Sequence, residues 1–327
     1  MFNLALIRKS INEARWLFLG CAAGLFSFCW ARVWLVSRLE TSRFQQILEL
    51  IPKEWEKFSS VPFEQLISHT GRIALTFNEP LVVLAVTVWA IARGSDAVAG
   101  ELGRGTMEML LSQPISRIQS LGTHCCVTLL GLALLCGTAW GGIAVGIQTT
   151  QAKLVAPGQD ITLRIPLMPE IKIPINQGER RTLWVPMREM THAVHFWPGV
   201  LNLFSLGFFL TGASVALSSC DRYRWRTIGI VSAFYVVESL LWIIGKAVGE
   251  FSWLLYFTFF TVYEPERYIN ISVHQPNVAS AFILLGENGE WIGLGPLGCD
   301  SVLLVLGTAC FAFGAAAFLR RDIPAPI

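Results

Sequence analysis

Six apolar runs, each about the length of a membrane crossing, constrain this chain more than any other feature. A spanning helix needs about 20 mainly apolar residues. The candidates are residues 16–36, a run that begins near Leu75 and is dense from Leu81 to Ala92, residues 118–147, Trp197 to Ser219, Thr227 to Val248, and Leu297 to Leu319. Composition agrees: 53% of the 327 residues are hydrophobic and 15% are charged, against roughly 25% charged in an ordinary soluble domain. The chain lacks the charge to cover a soluble surface, and the same numbers exclude intrinsic disorder. A net charge of +2 leaves no polybasic face for nucleic acid. The lipid bilayer is the expected surrounding, and the expected fold class is all-α integral membrane with six transmembrane helices.

The eight cysteines lie within or at the edges of the apolar runs, and no C-x-x-C pair occurs. They read as small apolar residues rather than a disulfide framework. Arg8 and Lys9 precede the first run, as in a signal peptide. That run continues well past Cys21, and Phe18 is the wrong residue for a lipoprotein cleavage box, so a retained anchor is expected. Lys and Arg set the orientation. With the N-terminus in the cytoplasm, the cytoplasmic pieces are 1–15, 93–117, 220–226 and 320–327. They carry 11 Lys and Arg over 55 residues, whereas the external pieces carry 12 over 141. The expectation is a multi-pass protein of the inner (plasma) membrane with both termini cytoplasmic.

The three external segments differ in character. Phe44, Ile47, Leu48, Ile51 and Trp55 recur at helical spacing, which predicts a surface helix interrupted by Pro52 and Pro62. Residues 149–190 instead alternate, in Ile161-Thr162-Leu163-Arg164-Ile165 and in Ile171-Lys172-Ile173, with prolines between. This predicts a small β-rich insert, 149–196, between the third and fourth spans. The aromatic run from Phe251 to Tyr263 is too short to span and suits an interfacial or re-entrant segment between spans five and six.

Chemistry-bearing motifs are scarce. No phosphate-cradling G-x-x-x-x-G-K-[ST], no G-x-S-x-G elbow and no H-E-x-x-H occurs. His192 and His195 are spaced i, i+3 but lack a third ligand, so no metal site is expected. Glu238 stands near the middle of the fifth span, a candidate intramembrane polar site, where a carboxylate must face the bundle interior or a partner. Lys246, eight residues on, lies about 12 Å away along the helix, too far for a direct pair. Glu238 either lines a path or bonds a neighbouring span.

One segment, from Ser95 to Arg117, carries a dense signal. Val98, Leu102, Met109 and Leu110 are interleaved with Gly100, Gly103 and Gly105, and glycines at that density weaken a helix. Thr106 is placed to cap a short helix with Glu108 in its first turn. Pro114 stops it, and Ser116 with Gln119 forms a capping box for the third span. The expected product is a bent amphipathic element at 96–113, held between two spans.

Glu101, Gly105, Thr106, Glu108, Leu110, Leu111, Pro114, Ile115, Ser116 and Arg117 together resemble the signature of ABC-2 type transporter permeases. Where that family usually carries a Lys shortly after the Arg, His124 stands here. Weaker likenesses lie at Ile51-Pro52-Lys53-Glu54-Trp55, at Ala216-Leu217-Ser218-Ser219 with Arg222 and Arg224, at Tyr263-Glu264-Pro265, and at Phe318-Leu319-Arg320-Arg321-Asp322. The resemblance implies one transmembrane domain over 1–327, with a cytoplasmic coupling helix between spans two and three. It implies a permease subunit of an exporter, paired with a second permease copy or paralogue and with an ABC ATPase subunit that binds the ATP. No cofactor is then expected on this chain, and no enzymatic activity. Glu101, Arg104, Gly105, Thr106, Glu108, Pro114 and Arg117 are the expected coupling residues, helped by the N-terminal stretch Leu4, Ile7 and Ile11. A non-transporting anchor or assembly platform of the same shape is the alternative, and the long insert favours it slightly. An intramembrane enzyme would need a buried catalytic set, and Glu238 has no evident partner for one.

Overall fold

Each apolar run folds into a long helix, because a segment in lipid must satisfy its backbone polar groups internally. The computed structural model describes residues 4–39, 44, 50, 57–58, 61–112, 115–155, 160–163, 171–174, 182–285 and 290–321. The long helices are α1 (Leu4–Arg38), α2 (Pro80–Ser95), α3 (Arg117–Thr149), α4 (Trp197–Cys220), α5 (Arg224–Ala247) and α6 (Pro296–Arg320). Counted with the turns that adjoin α2 and α4, six segments of 24 to 35 residues among the described residues are long and apolar enough to cross a membrane. Local signals set several ends. Proline opens α2, α4 and α6, where a missing N–H costs nothing. The Ser116 hydroxyl accepts from the Gln119 N–H at 3.2 Å and starts α3. Helix α1 begins at Leu4, a dozen residues before its apolar run, so the polar N-terminal turns continue the first span without a break.

Helix α4 is the centre of the bundle. Leu203, Leu206 and Leu210 are fully buried in it, and so are Asn202, Ser205, Thr211, Ser214 and Ser218. It packs on α6 and α2, while α1 runs along α3. A Cβ at Gly212 of α4 would stand 2.6 Å from the Gly307 carbonyl of α6. Only small residues let two helices approach that closely. Trp89 of α2 reaches across to α3, where its indole N–H donates to the Thr128 carbonyl at 3.0 Å. Helix α5 is the exception: Val236, Val237, Leu240 and Ile243 point outward, a face suited to acyl chains rather than water.

The connections gather at two ends. The described parts of the 150–196, 248–295 and 61–79 segments meet at one. Strand β1 (Gln151–Val155) pairs antiparallel with β4 (Thr182–Pro186), and β2 (Asp160–Leu163) with β3 (Ile171–Pro174), in the register Ile161↔Ile173. The alternation read at 161–163 and 171–173 is therefore an antiparallel strand pair, and β1–β4 is a second one. Two further strands, β5 (Ile283–Leu285) and β6 (Trp291–Leu294), pair before α6. The Thr70 hydroxyl donates to that of Thr191 at 2.7 Å, and the Tyr263 hydroxyl donates to the Phe77 carbonyl at 2.7 Å. Burial pushes the Tyr263 phenol well above its usual pKa and keeps it a neutral donor. The aromatic run folds as two 3-10 turns, Gly249–Phe257 and Phe259–Val262, and the helix Pro265–His274 follows. Most of the surface helix expected around Phe44 to Trp55 lies outside the described residues; Phe44 itself is described, and its ring carries the Arg72 guanidinium at 5.4 Å.

Candidate functional site

The opposite end holds the start of α1, the segment between α2 and α3, the short α4–α5 turn and the end of α6. The motif does not form one separate element. Residues Asp96–Gly100 prolong α2 as a π turn and Glu101–Gly103 add one α turn, so 96–103 belongs to the second span. Gly105 then sits at φ 70°, in the left-handed region that glycine enters without penalty. Its N–H donates to the Leu102 carbonyl at 3.1 Å, and the chain turns into a separate short helix, Thr106–Leu111. Burial explains the split. Asp96 to Gly100 are all buried, and the Val98 and Ala99 N–H groups donate to the Ser218 hydroxyl of α4 at 3.1 and 2.9 Å. The Ser218 hydroxyl in turn donates to the Ser95 carbonyl at 2.9 Å. The polar contacts that a π turn leaves open are thus met by a neighbouring helix.

Around this root lies a charged cluster. Glu101, only 6% exposed, accepts from the Lys9 ammonium of α1 at 2.7 and 2.9 Å and from Arg104 at 3.0 Å. The Thr106 hydroxyl also donates to the Glu101 carboxylate. Thr106, expected to cap the following helix, stands at its first residue. Asp96 binds Arg104 at 2.7 Å and Arg224, at the start of α5, at 3.3 Å. Arg93 lies 3.7 Å from Asp96 and donates to the Ser10 hydroxyl at 2.8 Å. Burial opposes the charge on Arg104, but the Asp96 hydrogen bond and the charges of Asp96 and Glu101 outweigh it and raise its pKa above the ordinary value. His124 is buried, with Nε2 2.8 Å from the Arg93 carbonyl. It serves the same root without joining the ion pairs.

Arg117 closes the other side, donating to the Arg321 carbonyl at 2.6 Å and the Phe318 carbonyl at 3.2 Å. Arg321 in turn donates to the Ser219 and Asp221 carbonyls at 3.0 and 2.8 Å. Within Thr106–Leu111, Met107 points inward against Val98, Leu121, Val215 and Phe318, while Met109 is 70% exposed. Glu108 occupies this helix, and Pro114 lies outside the described residues. Of the expected coupling residues, Glu101, Arg104 and Thr106 therefore meet in one cluster, Gly105 supplies its turn, and Arg117 braces the chain end. Lys9, Ser10, Arg93, Asp96 and Ser218 also belong to it and were missed. Lys9, Ser10 and Ser218 come from other helices, and nothing local in the sequence couples them to Glu101; Arg93 and Asp96 stand in the motif's own span, three residues apart.

Glu238 stands apart. It is buried in α5, where its carboxylate accepts from the Phe259 N–H at 3.3 Å, and the Thr258 hydroxyl donates to its carbonyl at 3.1 Å. It therefore holds the second 3-10 turn, whose Phe259 and Phe260 rings stack at 4.5 Å. Lys246 finds its charge elsewhere, 3.9 Å from Glu264. A buried Asp300 of α6, bound by the Asn202 amide at 2.8 Å, is a second intramembrane carboxylate that the sequence reading did not single out. The His192 and His195 rings lie 6.0 Å apart, and no metal-binding group of three forms among the described residues.

No curated protein matches the chain. One family model does, that of the ABC-2 family transporter protein, over residues 15–122. Those residues hold most of α1, all of α2, the motif with Arg93, Asp96, Glu101 and Arg104 of its cluster, and the first turns of α3. Over this third of its length the chain is similar to the ABC-2 family transporter proteins, and its six long apolar helices make it a multi-pass membrane protein.

Proposed function

We propose that the chain is the membrane-spanning permease subunit of an ABC-type exporter, working beside a second permease copy or paralogue and driven by ATP that a separate ATPase subunit binds and hydrolyses. The observation that carries this reading is the division of labour within the motif. Thr106–Leu111 packs on the bundle through the buried Met107 and leaves Met109 exposed on its outer side. Its root is tied to α1 through Lys9, to α2 through Asp96, and to α5 through Arg224. A displacement of the short helix is then shared among three spans, because ion pairs and close packing resist local yielding. The density of Lys and Arg supports placing this end in the cytoplasm, where an ATPase has access. On this reading the chain carries no cofactor and catalyses no reaction of its own.

The test is recovery of the tagged full chain from mild detergent, followed by assay of what accompanies it. We expect an ABC ATPase to co-purify, and Met109→Glu to release it while the chain remains folded and inserted. Recovery of the chain with no ATPase, or an ATPase complex indifferent to Met109→Glu, would overturn the proposal. The first outcome would favour an assembly platform, a reading that draws on the paired strands of the 149–196 insert.

A further inference from the structure

A groove of about 410 Å³ opens sideways between α1 and α3, near the end of the bundle that holds the motif. Phe18 and Leu19 of α1 and Leu130 and Leu134 of α3 form its walls, with Trp89 of α2 beneath. Leu130 is 65% exposed there. Since α1 and α3 are membrane-crossing helices, this concavity faces acyl chains. Arg15 lies on its rim. The guanidinium is exposed and sits 5.5 Å over the Trp16 ring. Among the described residues Arg15 forms no ion pair, whereas Lys9 of the same helix binds Glu13 and Glu101. Trp16 opens the apolar run, at the depth where aromatic rings meet the headgroups. Phe18 and Leu19 lie about one turn, or roughly 5 Å, deeper. Arg8, seven residues earlier on the same face of α1, is also exposed and adds positive potential. An apolar cleft with one cation at its rim, unpaired among the described residues, matches an acyl chain carrying an anionic headgroup.

We propose that the groove is a binding site for an anionic phospholipid of the leaflet at the motif end. One acyl chain lies between α1 and α3, and the phosphate pairs with Arg15, whose planar fork of N–H donors matches phosphate oxygens. The inference rests on the membrane location of the chain and not on its coupling to an ATPase, so either can fail without the other.

The experiment reconstitutes the full chain in vesicles of phosphatidylcholine with a minority of phosphatidylglycerol, extracts it gently, and counts retained lipids by native mass spectrometry. Phosphatidylglycerol should be retained above its share of the vesicle. Arg15→Gln should cut that enrichment about fivefold, the effect of one interfacial cation, while Arg15→Lys keeps most of it. Leu130→Trp should lower retention of both lipids by filling the groove. Both positions are exposed, and gel filtration with thermal unfolding verifies that the variants fold. Absence of enrichment in the parent chain, or an unchanged enrichment in Arg15→Gln, would overturn the proposal. A disulfide joining two copies through Leu130→Cys would also overturn it, since the groove would then be covered by protein.

Discussion

Glu101 is an almost fully buried carboxylate that meets a cation from its own segment, Arg104, and another from α1, Lys9. Charges are held out of water only where pairing offsets their desolvation. Both cations keep about a third or more of their side-chain surface, so removing the carboxylate lets them rehydrate in part. We expect Glu101→Ala to lower stability by about 1.5–3 kcal/mol, the range for hydrogen bonds to charged groups, read as a fall in thermal midpoint in detergent. An unchanged midpoint would show that the Lys9 contact contributes nothing to holding α1 on the motif. Arg104→Gln in the same assay is expected to do less, because Asp96 retains Arg224 and Arg93 nearby.

Among the elements, the break between the α2 extension and the short helix depends on one backbone conformation. A Cβ at Gly105 would meet nothing within 4 Å, so the cost of Gly105→Ala is purely conformational. Moving a non-glycine residue into the left-handed region costs roughly 1–2 kcal/mol. The variant should loosen Thr106–Leu111 selectively, seen as faster amide exchange at 106–111 with α2 unchanged. The Phe259–Val262 turn offers the matching case on α5. In Glu238→Gln the amide oxygen still accepts from the Phe259 N–H, whereas Glu238→Leu leaves that donor unpaired at a cost of about 1–3 kcal/mol. Leu should therefore destabilise the chain and unprotect 258–262, and Gln should not. Equal damage from both would assign Glu238 a role in its charge rather than in its hydrogen bond.

For the molecule as a whole, the two gatherings of connections must lie on opposite sides of the membrane, because each of the six helices runs from one to the other. Trp184, in the insert, and Tyr223, in the α4–α5 turn, are both exposed. Single cysteines at these positions, in a background without the eight native ones, should respond oppositely to a membrane-impermeant thiol reagent in intact cells. Position 184 is expected to be labelled and 223 protected. The reverse pattern would invert the orientation drawn from the Lys and Arg count, and labelling of both would refute the single crossing, α4, that separates them. The native cysteines are all free, and Cys29, Cys136 and Cys299 are buried, so their replacement by small residues should be tolerated.

Much of this architecture is legible along the chain because its causes are local. Bilayer thickness dictates the length of an apolar run, so six runs yield six long helices. Ser116, Pro80, Pro198 and Pro296 mark starts through bonds made or omitted within one turn, and the alternation about Ile161 and Ile173 announces a strand pair. The motif itself was also readable, as a run of glycines and charges with a proline behind it. What it builds was not. Residues 96–103 join the second span instead of standing apart, because Ser218, 120 positions away, accepts from the Val98 N–H. Lys9 finds Glu101 across 92 positions, and Arg224 reaches Asp96 only because α5 starts beside the end of α2. Periodicity reports neighbours within a turn or two of one helix. Which faces of different helices meet is decided by packing, by where small residues such as Gly212 and Gly307 let backbones close, and a buried carboxylate acquires its partners only once that packing exists.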